Sequence, residues 1–167
     1  EVARIEKTLS SDEMEGRRTF TKGIDKAAAF IADEFKKTGL QTWNNSGSYL
    51  QQFAMVRPKF ISVTASIDGI SVDSRDVIVF TCQPEIKVTE KSGYEKVMIA
   101  KGANMGTEVR KLIAANKNYF VLVDTSHARS MGNLTRMKST LFKTDKNMIF
   151  MLATTDPKTY TVESKHE

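Results

Sequence analysis

The stretch Tyr94–Val123, YEKVMIAKGANMGTEVRKLIAANKNYFVLV, decides the fold class. Tyr94 to Ala100 reads as a strand, and a glycine-containing turn follows it. From about Gly106 to Asn116 the apolar residues Val109, Leu112 and Ile113 fall on one helical face. Tyr119-Phe120-Val121-Leu122-Val123 is an apolar run short enough to be a buried strand. A strand, a helix of about ten residues and a second strand in this order make a βαβ unit.

Working outward from that unit, a weaker helix is expected over Met131 to Leu141, and Met148 to Leu152 reads as another buried strand. On the other side, Val77 to Thr81 is a strand, and Ile61 to Ile67 alternates apolar with polar residues as a half-buried strand does. Asp68-Gly69, between that run and Ile70-Ser71-Val72, is the favoured dipeptide of a two-residue hairpin. Tyr49 to Val56 is expected to be extended, with Pro58 punctuating it.

The front of the chain is helical. A first helix is expected from Glu1 to Leu9, where Val2, Ile5 and Leu9 repeat, with turn chemistry at Ser10-Ser11-Asp12. The charged segment Asp12 to Thr21 has no clean period and reads as a loop with a short helical turn at its start. Ile24, Ala27, Ala28, Ile31 and Phe35 then define an amphipathic helix. Thr21 is placed to cap it, Lys36 and Lys37 suit its negative end, and Gly39 fits a left-handed C-cap. Helices at the front and a β-rich, α/β-like remainder give an α+β class, divided into residues 1–56 and 57–167.

Composition narrows the function classes. Apolar residues at 40% and charged residues at 27% are ordinary for a globular chain, and no run approaches a membrane span. No signal peptide is visible, although Glu1 opens inside a helical pattern, so a processed beginning is expected. Cys82, the single cysteine, makes neither an internal disulfide nor a cysteine-based zinc site, and reads as a half-buried strand residue. Within the net charge of +5, Lys101 to Lys146 carries nine basic residues against three acidic ones. No nucleic-acid motif accompanies that excess, so a solvated face is expected and no nucleic acid. The methionines, including Met105, Met137, Met148 and Met151, read as core fillers.

One resemblance bears on function. Leu9-Ser10-Ser11-Asp12-Glu13-Met14-Glu15-Gly16-Arg17-Arg18-Thr19, followed by the helix Gly23 to Leu40 with its Phe35-Lys36-Lys37-Thr38-Gly39-Leu40 ending, resembles the start of M28-family zinc peptidases. Tyr49-Leu50-Gln51-Gln52-Phe53 is similar to the strand that follows there. Phe20 and Lys22 depart from the family's usual glycine and proline. Tyr94 to Glu163 resembles, more faintly, the protease-associated (PA) domain that such peptidases carry as an insertion.

The resemblance implies a secreted or periplasmic zinc aminopeptidase as the parent protein. Its catalytic domain is expected to hold two zinc ions through histidines and carboxylates. No histidine-x-aspartate occurs here, and His127 and His166 have no local carboxylate at ligand spacing, so both are expected at the surface. Catalytic, cofactor-binding and metal residues are accordingly expected to be none in this chain, with zinc in the catalytic domain beyond it. Glu15, Arg17 and Arg18 are the candidates for docking onto that domain, Arg17 through a bidentate carboxylate contact. The expected partners are the catalytic domain of the same polypeptide and the parent's peptide substrate. The competing expectation is a stand-alone module whose basic face, Lys101 to Lys146, takes an acidic partner.

Overall fold

A computed structural model describes residues 1–167. The chain is α+β, and it divides into two compact units, Glu1–Gln52 and Phe53–Glu167. The division precedes strand β1 (Met55–Val56), which pairs antiparallel with β8 (Leu141–Phe142) and so belongs with the second unit.

The first unit is built from α1 (Val2–Leu9), a 3-10 turn at Asp12–Arg17 and α2 (Lys22–Lys37). Arg4 of α1 pairs with Glu34 of α2, and Lys37 closes on the same carboxylate at 2.9 Å. Gly39 takes the left-handed conformation expected after α2, with φ 73°. The unit has almost no interior. Met14 and Ala27 are its only buried hydrophobic side chains, while Val2, Phe20, Phe35, Leu40, Trp43 and Leu50 are exposed, Trp43 at 84%. Tyr49 to Ala54 forms no strand, so only the last two residues of the expected extended segment enter a ladder.

The second unit has three layers. β2 (Phe60–Ile67), β3 (Ile70–Val72), β5 (Glu85–Thr89) and β10 (Tyr160–His166) form an antiparallel sheet in the order β3-β2-β10-β5. β4 (Val77–Phe80), β6 (Glu95–Ile99), β7 (Tyr119–Val123) and β9 (Met148–Leu152) form a mixed sheet in the order β4-β9-β7-β6. The βαβ unit is present: β6 and β7 pair in parallel from Glu95↔Tyr119 to Ile99↔Val123, joined through α3 (Met105–Ala115). Asn104 caps α3 by accepting the Thr107 N–H at 3.0 Å, and Asn116 ends it at φ 48°. A short α4 (Met131–Met137) precedes β8.

Alternation places the core on both faces of the mixed sheet. Val77, Val79, Phe120, Leu122, Ile149 and Met151 point towards Val63, Ile86, Val88 and Val162 of the antiparallel sheet. Ile78, Phe80, Val121, Val123 and Phe150 point the other way, onto Met105, Val109 and Leu112 of α3 and Leu134 of α4. Each such fully buried side chain contributes about 1.5–3 kcal/mol relative to exposure. Between the sheets the Phe120 and Tyr160 rings stack, with centroids 3.7 Å apart and planes at 3°. Across β5 and β10 the register sets Lys87 opposite Glu163 and Glu85 opposite Lys165, and both pairs close as salt bridges.

The Asp68-Gly69 hairpin forms with φ 47° and 81°. Its carboxylate also accepts the backbone N–H groups of Thr159 at 2.8 Å and Lys158 at 2.9 Å. Those bonds, the Thr159 N–H foremost, hold the Asp68 carboxyl below the usual range. A carboxyl depressed by folding contributes stability that is present above its unfolded pKa and lost as pH falls through the folded one. The melting temperature is therefore expected to fall as pH drops through and below the ordinary carboxylate range. Asp68→Asn, which tolerates the same φ, should flatten that slope. An unchanged slope in the variant would place the acid sensitivity elsewhere.

Candidate functional site

In the first unit, α1 and α2 are joined through the 3-10 turn Asp12–Arg17 and the residues that follow it. Glu15, Gly16 and Arg17 all take left-handed backbone, at φ 48°, 63° and 55°, and Phe20 does so at 67°. For the non-glycine residues that conformation costs roughly 1–2 kcal/mol each. Two contacts hold the loop in it. The Glu15 carboxylate accepts the Gly23 N–H at 3.1 Å, in the first turn of α2. Gly23 also lets the loop lie directly on the helix: a Cβ there would stand 2.1 Å from the Met14 carbonyl oxygen and 2.7 Å from the Glu15 Cβ. Met14 is buried beneath.

The three docking candidates therefore separate. Glu15 serves its own unit as the N-terminal acceptor of α2, the task expected of Thr21. Thr21 stands at the N-cap position, but its hydroxyl donates instead to the Arg18 carbonyl at 2.7 Å. Arg17 and Arg18 are exposed, carried on backbone fixed by Glu15 and Gly23. That Glu15 contact spans eight residues and has no local signature beyond a carboxylate near a helix start.

The second unit contains both histidines. His127 is half-buried, and its Nε2 donates to the Ala100 carbonyl at 2.9 Å. His166 is not at the surface as its sequence context suggests; it is 6% exposed, edge-on to Phe60 with centroids 5.9 Å apart. Its Nδ1 is buried without a hydrogen-bond partner. Burial, and then the charge of Lys138, lower its pKa, so the ring is neutral at physiological pH. Lys138 in turn sits over the Phe60 ring, 4.2 Å from its centroid. No three His, Cys, Asp or Glu side chains come together in an arrangement that could hold a metal ion. The donors at His127 and His166 therefore do not fit a zinc shell, which needs three or four converging ligands. Cys82 is half-buried just beyond β4, with its Sγ donating to the Phe142 carbonyl at 3.5 Å.

Two hollows flank α3. The smaller, about 340 Å³, lies at the helix N-terminus beside His127, Ser130 and Asn133. Asn104 and His127, two of the polar side chains there, are spent on backbone groups. The larger, about 610 Å³, is an apolar groove at the other end of α3, with Phe80, Ile113, Met137, Leu141, Phe142 and Met148 as its apolar lining and Lys117, Lys143 and Lys146 among its polar residues. No helix is long and apolar enough to cross a membrane. Comparison of the chain with protein-family models, curated proteins and solved structures gives no match.

Proposed function

We propose that the chain is a non-catalytic accessory region of a secreted or periplasmic zinc aminopeptidase of the M28 type. Residues 1–52 pack on the catalytic domain of the same polypeptide, which carries the zinc, and the β-rich unit, akin to a PA domain, shapes access of the peptide substrate. The observation that carries the reading is the surface of the first unit. Two amphipathic helices bury only Met14 and Ala27 between them and leave large apolar side chains in solvent. Most helical stability in proteins comes from packing an apolar face, and here the face has little within its own unit to pack on. Beside it, the left-handed loop holds Arg17 outward in a fixed position, as an arginine fork must be held to meet a carboxylate.

Two measurements on one preparation test this. The purified chain is expected to release no product from aminoacyl p-nitroanilides with zinc added, and zinc-dependent turnover would contradict the reading. Supplied with the parent's catalytic domain, the chain should associate with it, and Arg17→Ala should weaken that association at least about tenfold. Arg17→Lys should not restore it, because an ammonium lacks the two parallel donors. Equal association of all three forms would remove Arg17 from the interface.

A further inference from the structure

The groove at the C-terminal end of α3 calls for an occupant of its own, independently of any peptidase. Its apolar lining is mainly aliphatic and thioether in character, from Ile113, Met137, Leu141 and Met148, with Phe80 and Phe142 as the aromatic members. At its edge Phe142 is 63% exposed and packs edge-on to exposed Phe53, with centroids 5.5 Å apart. A hollow of about 610 Å³ lined mainly by apolar side chains is of the size and character that holds a ligand. The lining contains three lysines and no carboxylate. Lys143 makes no ion pair, while Lys117 and Lys146 pair with Glu95 at 3.1 Å and Asp145 at 2.6 Å. Both carboxylates belong to exposed residues outside the lining, and exposed pairs of this sort exchange partners at little cost.

The shape and chemistry discriminate among anionic partners. A bilayer surface engages a continuous protruding apolar face, whereas the exposed apolar side chains here, Ile113, Met137 and Phe142, line a hollow. Single-stranded nucleic acid needs successive flat aromatic platforms for its bases, and the lining offers one exposed ring, Phe142, already engaged edge-on by Phe53, while Phe80 is buried. A polypeptide satisfies both features. Unbranched methionines adapt to aliphatic or aromatic side chains, as they do on other peptide-binding surfaces. Flanking carboxylates meet the lysines. We infer that this groove receives an acidic peptide segment, whose apolar side chains fill it while its Asp or Glu residues pair with Lys117, Lys143 and Lys146. The basic excess of residues 101–146 then steers the encounter as well as the bound pose.

Selection of the intact chain against a random twelve-residue peptide library displayed on phage tests this without a catalytic domain, so its outcome is separate from that of the accessory-region reading. Enriched peptides should carry Leu, Phe or Met anchors flanked by Asp or Glu. A synthetic enriched peptide should shift the methyl resonances of Met137 and Met148 and leave exposed Met98 unmoved. Its binding should weaken at least about tenfold in the double variant K117E/K143E, and more in high salt. Both substitutions are at exposed positions, and an unchanged melting temperature verifies the fold. The double variant should in turn enrich peptides with Lys or Arg flanks. The inference is overturned if nothing is enriched, if enriched peptides show no acidic bias, or if they leave Met137 and Met148 unmoved. Tighter binding to phosphatidylserine vesicles or to oligothymidine than to any enriched peptide overturns it too.

Discussion

Phe120→Ala is expected to cost the second unit about 3–5 kcal/mol, a third or more of the stability of an ordinary domain. Phe120 is 0% exposed on β7, and its ring lies flat on Tyr160 of β10, so one side chain ties the mixed sheet to the antiparallel one. Truncation removes the buried ring and leaves a void between two sheets whose ladders resist collapse onto it. Tyr160→Phe keeps the stack and should cost under about 1.5 kcal/mol. Urea unfolding followed by far-UV circular dichroism reads both values. A loss below about 1 kcal/mol for Phe120→Ala would mean that the two sheets are not held together at this point.

The second large effect is expected from a single methyl group in the first unit. Gly23→Ala places a Cβ 2.1 Å from the Met14 carbonyl oxygen and 2.5 Å from its carbon, both backbone atoms that no rotamer change can move. The loop Asp12–Arg17 must then lift from α2, which breaks the Glu15–Gly23 hydrogen bond and exposes Met14. The loss should reach the upper end of the roughly 1–3 kcal/mol seen for overpacked sites. In a unit with so small an interior, that is enough to melt it. Gly132→Ala supplies the contrast, since a Cβ there meets nothing within 4 Å and the residue lies inside α4. That change should stabilise by about 0.4–1 kcal/mol. Helicity at 222 nm should fall for Gly23→Ala alone; equal behaviour of the two variants would show that the loop does not rest on the helix.

The sequence is legible where one local period governs. α2 falls at Lys22–Lys37 against an expected start after Thr21, and α3 and β7 lie within a residue of expectation. The two helices rest on apolar spacing closed by residues suited to helix ends, and β7 on an unbroken apolar run. The β5 strand, Glu85–Thr89, escapes the reading although Ile86 and Val88 alternate cleanly, because Glu and Lys on its outer face resemble a charged loop. β10 carries no such signal: its inward positions are Tyr160, Val162, Ser164 and His166, and the last two are polar residues buried by their neighbours. His166 belongs to the same failure. It lies beneath Phe60 because of a ladder between segments about a hundred positions apart, which no local pattern reports. At the front, the sequence singles out Glu15 but does not show that its carboxylate accepts the Gly23 N–H. Whether a carboxylate points back to its own helix or out to a partner is decided by backbone φ at three consecutive residues. The groove lay hidden for a related reason: Ile113, Met137 and Met148 come from three elements, and only the tertiary fold brings them to one floor.

Hydrogen exchange over residues 1–52, measured on the chain alone and on the chain joined to the parent's catalytic domain, puts the central claim to the most direct test. The amides of α1 and α2 should exchange orders of magnitude faster than those of β7 and β9 in the isolated chain, and become protected to a comparable degree in the joined protein. Protection of α1 and α2 that is already equal to that of the mixed sheet, and unchanged on joining, would show a first unit that needs no partner, and would contradict the account.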